Sequence, residues 1–239
     1  MMALELSIVI PAYNEQDRIK PTLEEYLSSF NGTHKGQFEI IVVLNGCHDS
    51  TREVVASIQG KSQEIEIIEF EKPLGKGGAI MEGMNTAKGS LIAYVDADNM
   101  VGAQETQKLI SALKKSDIAI ADRFNGSQIG HTPPLIRRII SVCSRIWIKS
   151  FLGLPYSDTQ CGAKAFQAVA WNKISAKVAE TGWAFDLEVL AFAKKFNFSV
   201  AEIPVEWKHV VEGSKVRAWK DVPATLWATL RIRKSMRTI

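Results

Sequence analysis

Five short apolar runs, each closed by a polar or glycine-rich stretch, constrain this chain more than any other feature. They are Leu6-Ser7-Ile8-Val9-Ile10-Pro11, Phe38 to Leu44, Ile65 to Phe70, Leu91 to Asp96 and Ile118 to Ala121. Runs of this length between turn signals read as buried strands. Helical patterns lie between them: Arg18 to Phe30, a stretch capped by Asp49-Ser50-Thr51 and running to Ile58, Gly75-Lys76 through Ala87, and Gln104 to Lys114. Strands alternating with helices predict an α/β fold with a mostly parallel central sheet flanked by helices. A chain of 239 residues with 46% hydrophobic and 23% charged content has the material for one large domain of that kind.

Ligands of open α/β sheets sit beyond the carboxyl ends of the strands. Five loops fall there: Tyr13-Asn14-Glu15, Asn45-Gly46, Gly75-Lys76-Gly77, Asp96-Ala97-Asp98 and Arg123. Together they offer an aromatic face, polar groups for a base and ribose, a lysine for phosphate, and two carboxylates one residue apart. Hard carboxylate oxygens suit Mg²⁺ or Mn²⁺ shared with substrate phosphates, which makes Asp96 and Asp98 the candidate metal ligands. The same pair also reads as an ordinary turn after a strand. Gly75-Lys76-Gly77-Gly78 is neither a Walker loop nor a Gly-x-Gly-x-x-Gly fingerprint, so a kinase or dehydrogenase would lack its phosphate loop.

Beyond residue 125 the pattern changes. Leu135 to Leu152 is amphipathic, with Arg137, Arg138, Ser141, Ser144, Arg145 and Lys149 largely between its apolar positions. Such a helix packs on a core or lies in a membrane interface. Phe185 to Phe196 predicts another helix. Ser199 to Trp207 predicts an edge strand, because Pro204 cannot donate to a ladder. Ala218 to Arg237 predicts a last helix that joins Trp219 and Trp227 to a basic cluster, a composition suited to an interfacial anchor. Residues 208–239 hold eight Lys or Arg against Glu212 and Asp221, a net +6, which leaves −3 for residues 1–207 of a chain whose formal charge is +3. That balance gives no global field for nucleic acid and a tail suited to an anionic surface. Cys47, Cys143 and Cys161 are far apart, which argues against zinc and disulfide frameworks. No stretch of about 18 apolar residues occurs. The expected location is therefore cytoplasmic, peripheral at the cytoplasmic face of a membrane.

Six segments carry a resemblance that covers nearly all of the chain: Val9-Ile10-Pro11-Ala12-Tyr13-Asn14-Glu15, Leu74-Gly75-Lys76-Gly77, Asp96-Ala97-Asp98, Asp158-Thr159-Gln160-Cys161-Gly162-Ala163-Lys164, Trp183-Ala184-Phe185-Asp186-Leu187-Glu188 and Glu212-Gly213-Ser214-Lys215. In them the sequence resembles family 2 glycosyltransferases of the GT-A fold. Within that family it is similar to polyprenyl-phosphate sugar transferases, the dolichyl-phosphate glucosyltransferases first and the mannose synthases next.

The resemblance implies an inverting, metal-assisted transfer of a hexose from a nucleotide sugar to a polyprenyl phosphate at a membrane surface. The donor would be a UDP-hexose, UDP-glucose first, with GDP-mannose as the alternative. Pro11, Ala12, Tyr13, Asn14, Glu15 and Asn45 would hold base and ribose. Lys76, Asp96, Ala97, Asp98, Ser214 and Lys215 would hold the diphosphate with Mg²⁺ or Mn²⁺. Arg123, Arg137 and Ser141 would meet the acceptor phosphate. Asp158, Gln160, Trp183, Asp186 and Glu188 would line the sugar and acceptor side, with Asp158 or Asp186 as the base if one is needed. Asp98, Arg123, Arg137, Asp158 and Lys215 are the expected catalytic set. Residues 1–217 would form the catalytic domain, 1–125 its nucleotide-sugar half and 126–217 its acceptor half, and 218–239 an amphipathic basic helix. Two positions depart from the family pattern. Asn45 stands where an acidic residue usually reads the base, and Met100 stands where the mannose synthases have Gln. Methionine sulfur is a poor ligand for Mg²⁺, which favours the uridine-nucleotide reading. A soluble glycosyltransferase with a non-lipid acceptor, a nucleotidyltransferase and a non-catalytic nucleotide-sugar binder remain as alternatives.

Overall fold

The computed structural model describes residues 4–130, 135–209 and 218–238. The first four apolar runs are strands β1 (Leu6–Ala12), β2 (Phe38–Asn45), β3 (Ile65–Phe70) and β4 (Leu91–Val95). Helices α1 (Ile19–Thr33), α2 (Thr51–Gln59) and α3 (Lys76–Thr86) connect them. All pair in parallel, in the order β3-β2-β1-β4. The chain therefore winds outward from β1 to β3 and then returns to the other side of β1. Pairing of β1 with β4 stops at Val9 and Tyr94, two residues before Pro11, whose nitrogen has no hydrogen to donate. Pairing ends there, at the switch point, where doubly wound sheets hold ligands in a crevice.

Next come α4 (Ala103–Ala112), β5 (Ile118–Asp122), the short β6 (Gln128–Gly130) and α5 (Leu135–Leu152), which matches the amphipathic segment read from sequence. Strand β7 (Ala163–Gln167), helices α6 (Ala168–Ser175) and α7 (Phe185–Lys195), strands β8 (Val200–Pro204) and β9 (Trp207–His209), and helix α8 (Ala218–Thr238) complete the order. The main sheet has seven strands ordered β3-β2-β1-β4-β7-β5-β8, and β6 pairs with β9 apart from it. Pro204 ends β8 at the sheet edge, as its chemistry requires.

The expected α/β class holds, with the short β6 and one strand of the main sheet unforeseen. β7 runs antiparallel between β4 and β5. Its sequence, Ala-Lys-Ala-Phe-Gln, has a lysine at its second position, yet Lys164 is only 1% exposed. A lysine in a central strand hides the strand from an apolar pattern. It is tolerated because a distant carboxylate neutralises it.

Both faces of the sheet are covered. Leu6, Ile8 and Ile10 of β1 point to one face, against Ile19, Leu23, Tyr26 and Phe30 of α1 and Leu109 of α4. Val9 points to the other, which carries α3, α6 and α7, with Tyr94, Phe166, Trp171 and Phe185 as its aromatic centre. Ala228 and Ile232 of α8 and Ile148 and Leu152 of α5 are buried on this second face, so these helices are packed onto the body along one side. Trp147 of α5 donates from Nε1 to Thr229 Oγ1 at 3.2 Å and stacks on Phe151 at 5.0 Å.

Candidate active site

The carboxyl ends of β1 to β5 lie along one edge of the sheet, and the amino end of antiparallel β7 joins them. The Asp-Ala-Asp stretch leaves β4 at this edge, one residue earlier than the expected strand end. Helix α1 holds the loop from behind. Thr22 Oγ1 donates to Ala97 O at 2.8 Å, and Tyr26 OH to Val101 O at 2.9 Å. Glu25 accepts from Asn99 Nδ2 at 2.6 Å and from Ala103 N at 2.9 Å. The loop carrying Asp98 is thus fixed at four points. Asp98 Oδ1 accepts from Met100 N at 3.2 Å, the turn contact that the bland reading of this motif foresaw.

Asp96 sits against β7. Its N–H donates to Gly162 O at 3.0 Å, and its carboxylate fills the space over Gly162. A Cβ at position 162 would lie 1.8 Å from Asp96 Oδ2. Gly162 is therefore what lets β7 come beside the acidic pair. Lys76 Nζ pairs with Asp96 Oδ1 at 2.6 Å and lies 5.3 Å from the centre of the Trp183 ring. Burial alone would lower the Lys76 pKa, but the carboxylates of Asp96 and Asp186 outweigh it and hold the lysine charged. Burial, and then the charge of Asp96, push the Asp98 carboxyl above its ordinary range. Arg18, absent from the sequence reading of the site, acts on Asp98 in the opposite direction.

The glycine-rich loop after β3 is built for packing. Gly75 has φ of +83°, and a Cβ there would meet Thr181 O at 2.4 Å. Gly77 is equally tight against Phe185, and Gly78 N donates to Thr181 O at 3.0 Å. These contacts press the loop onto residues 181–185 and aim Lys76 at Asp96. Asn45, expected to read the base, is tied into the same loop. Its Oδ1 accepts from Leu74 N at 2.7 Å and its Nδ2 donates to Gly75 O at 3.2 Å. Both ends of the amide serve the backbone, so in this structure Asn45 is a latch on the loop and presents neither end to a base.

Residues 11–15 and 45–51 are knitted together. Asn14, at φ of +53°, accepts from His48 N at 2.8 Å, and Glu15 N donates to Thr51 Oγ1 at 2.7 Å. Arg18 Nε and Nη2 each donate to Glu15 at 2.7 Å. Pro11 is half-buried and Ala12 buried, whereas Tyr13 is 41% exposed.

On the other flank, Arg123 follows β5 and grips buried Asp158, with Nε to Oδ2 at 2.6 Å and Nη2 to Oδ1 at 2.9 Å. Burial would raise the Asp158 carboxyl, but Arg123 holds it below its ordinary range. The Arg123 guanidinium also lies near the rings of Trp207 and Phe124, at 5.5 and 5.8 Å. Both Asp158 oxygens face an arginine, so Asp158 orients Arg123 and is a poor proton acceptor. Gln160 Nε2 reaches Trp183 O only at 3.5 Å.

Two expected substrate contacts lie deeper. Asp186 Oδ1 accepts from Lys164 Nζ at 2.5 Å and from the Tyr94 hydroxyl, all buried. Lys164 also donates to Cys161 O at 2.7 Å. This ion pair ties α7 to β4 and β7, and in this structure it engages the carboxylate expected as a candidate base. Glu188 accepts from Ala179 N and Glu180 N, both at 2.7 Å. It braces residues 179 and 180, and its side chain is buried. The side chains of Arg137 and Ser141, and residues Ser214 and Lys215, lie outside the described residues.

A doubly wound sheet with a carboxylate pair, a lysine and an arginine gathered at its switch-point edge is the frame of a GT-A transferase. Residues 7–167 match glycosyl transferase family 2. The dolichyl-phosphate beta-glucosyltransferase of Drosophila melanogaster is 32% identical over 232 residues, covering 90% of this chain and 70% of that protein. The Saccharomyces cerevisiae protein of the same name is 31% identical over 230 residues, 88% of this chain and 69% of that one. Among solved structures, glucosyl-3-phosphoglycerate synthase from Mycobacterium tuberculosis with Mn²⁺, UDP and its glucosylated product superposes with a TM-score of 0.67 at 16% identity, over 99% of this chain and 81% of that one. The chain belongs to glycosyl transferase family 2.

Proposed function

We propose that this chain is an inverting hexosyltransferase that moves glucose from UDP-glucose onto the phosphate of a polyprenyl phosphate at a membrane surface. The observation that carries this reading is the convergence of Asp96, Asp98 and Lys76 with the Arg123–Asp158 pair at one sheet edge. Relatives of the chain that are named dolichyl-phosphate beta-glucosyltransferases support the substrates.

Residues 11–15, with the open Tyr13 ring, would take the base and ribose, and Lys76 the diphosphate. Asp96 and Asp98 would hold Mg²⁺ or Mn²⁺. Their hard oxygens suit such an ion, and the Asp98 carboxyl, raised first by burial and then by the like charge of Asp96, would be relieved by a cation. When bound, it supplies positive charge to the departing diphosphate. Among the described residues no third His, Cys, Asp or Glu joins the pair.

The acceptor is a phosphate monoester with a second pKa near ~6, already anionic at neutral pH, so the transfer needs no general base. Arg123, held by Asp158, orients it, with Arg137 and Ser141 beside it by family resemblance. A phosphate oxygen forms the bond to the anomeric carbon as the bond to the diphosphate breaks on the opposite face. An α-linked donor then gives a β-linked product. Lys76 offsets charge on the leaving group, and preorganised donors of this kind are typically worth ~3 kcal/mol.

Membrane contact would come from α5 and α8. Val142, Ile146 and Trp147 on one and Trp227 and Leu230 on the other are exposed. No helix among the described residues is long and apolar enough to cross a bilayer. The test is a transfer assay with UDP- and GDP-sugars, a polyprenyl phosphate and Mg²⁺ or Mn²⁺, reading sugar in the organic phase. Glucose lipid formed from UDP-glucose and lost with EDTA is the expected result. Nucleotide binding without lipid product from any donor would overturn the acceptor assignment.

A further inference from the structure

Arg145 stands apart from the other cations near the crevice. It projects from α5, and its guanidinium carbon lies 3.8 Å from the centre of the Phe124 ring. Its Nε is buried and has no hydrogen-bond partner among the described residues. Leaving a buried donor unpaired is costly, and more so for a charged group. Such a group persists where an external acceptor completes it.

Its surroundings identify the acceptor's chemistry. Phe124 follows Arg123 directly, and the Arg123 guanidinium lies 5.8 Å from the same ring. One phenyl ring thus carries two guanidiniums. Arg123 is neutralised by the two oxygens of Asp158. Arg145 forms no ion pair or hydrogen bond among the described residues, so among them it is the guanidinium here whose charge is not neutralised. Positions 137, 141 and 145 are four residues apart and follow one line along α5. An aromatic face beneath a guanidinium fixes the plane of its fork, the arrangement that takes two phosphate oxygens at once. Phe124 is 37% exposed, which leaves apolar surface beside the fork.

We propose that Arg145, stacked on Phe124 with its Nε unpaired among the described residues, binds the phosphate of the isoprenoid acceptor and extends the acceptor site one turn along α5. This rests on the polyprenyl-phosphate reading above. A phosphate monoester carries about −1.5 to −2 charge at neutral pH. The neutralised Arg123–Asp158 pair does not balance it, whereas the Arg145 guanidinium supplies charge and donors together.

The test uses a water-soluble short-chain isoprenyl monophosphate as probe, with calorimetric titration of wild type, Arg145→Met and Arg145→Lys. The matching isoprenol and UDP with Mg²⁺ are controls. Arg145→Met should weaken the monophosphate about tenfold or more, with isoprenol and UDP unchanged. Arg145→Lys should recover part of the loss, since it keeps the charge and loses the fork. In turnover, the KM for the acceptor should rise while that for UDP-glucose stays. Equal monophosphate binding by wild type and Arg145→Met would overturn the assignment alone. Parallel weakening of monophosphate and UDP would also overturn it, as the mark of a purely structural role. A wild-type protein that binds UDP but no isoprenyl monophosphate would remove both this assignment and the acceptor reading beneath it.

Discussion

Gly162 and Asp158 show how the site depends on single residues that carry out no chemistry. The Asp96 carboxylate occupies the space where any side chain at 162 would be. Gly162→Ala should turn Asp96 away from Lys76. Loss of such a neighbour typically costs about 10–100-fold in metal affinity, so Mn²⁺-dependent UDP binding should fall by that order in a titration. Far-ultraviolet dichroism should stay that of wild type. Asp158 gives a pH signature. The unfolded carboxyl takes up its proton near about 3.9, whereas Arg123 holds the folded one lower. Between those values the unfolded chain binds more protons, so this contribution is present above the window and lost as pH falls through it. Asp158→Asn should lower stability at neutral pH by about 3 kcal/mol, because it leaves the partly buried Arg123 without its counter-charge. It should also remove this part of the acid sensitivity. Urea unfolding at neutral and acidic pH reads both effects. Gly162 and Asp158 belong to one family-like motif, but their partners, 66 and 35 residues away, could not be read from it.

At the scale of elements, α5 and α8 form a pair whose outward side differs from the rest of the surface. Over residues 142–152 and 224–238 they carry Arg145, Lys149, Arg231, Arg233, Lys234 and Arg237 and no acidic residue. Arg145 turns inward to Phe124, and Arg231 pairs with Glu180. A groove of about 400 Å³ between the helices is lined by Phe151, Leu230, Arg233, Lys234 and Arg237. Each cation close to an anionic membrane contributes about 1 kcal/mol. Reversing the charge of Arg233, Lys234 and Arg237 together to Glu should cut cosedimentation with anionic vesicles by about tenfold or more. Binding to UDP should not change. Unaltered vesicle binding would remove these helices as the membrane contact. The amphipathic period of α5 was legible because it repeats locally. The choice between core and interface was not, and the structure shows one face serving each: Ile148 and Leu152 are buried while Ile146 is 61% exposed.

The whole molecule couples ligand to stability, because the crevice is assembled from loops that follow separate strands. A nucleotide at about 100 times its dissociation constant adds about 2.7 kcal/mol to the folded state. For a chain of this size that is a rise of roughly 5–10 °C in Tm. UDP with Mn²⁺ should produce it and EDTA should cancel most of it. Asp98→Ala should leave the metal-free Tm near wild type and abolish the metal-dependent part. A shift equally large without metal would sink the assignment of Asp96 and Asp98.

The alternation of apolar runs and helical periods determined by itself the α/β class, the edge on which a site could form, and the acidic pair at that edge. Those properties are local, set by side-chain period and by the residues that stop each strand. Tertiary structure decided the rest. The reversed β7 depends on Lys164 meeting Asp186, 22 positions away. Asn45 could have faced a base, and only the approach of Leu74 and Gly75 engages both ends of its amide. Asp186 and Glu188 were legible as acids in a family motif, but whether an acid faces the crevice or the core is settled by what packs around it. A buried charge is stable only beside its counter-charge or its hydrogen-bond donors. Those arrive from strands and loops that no window of sequence holds together.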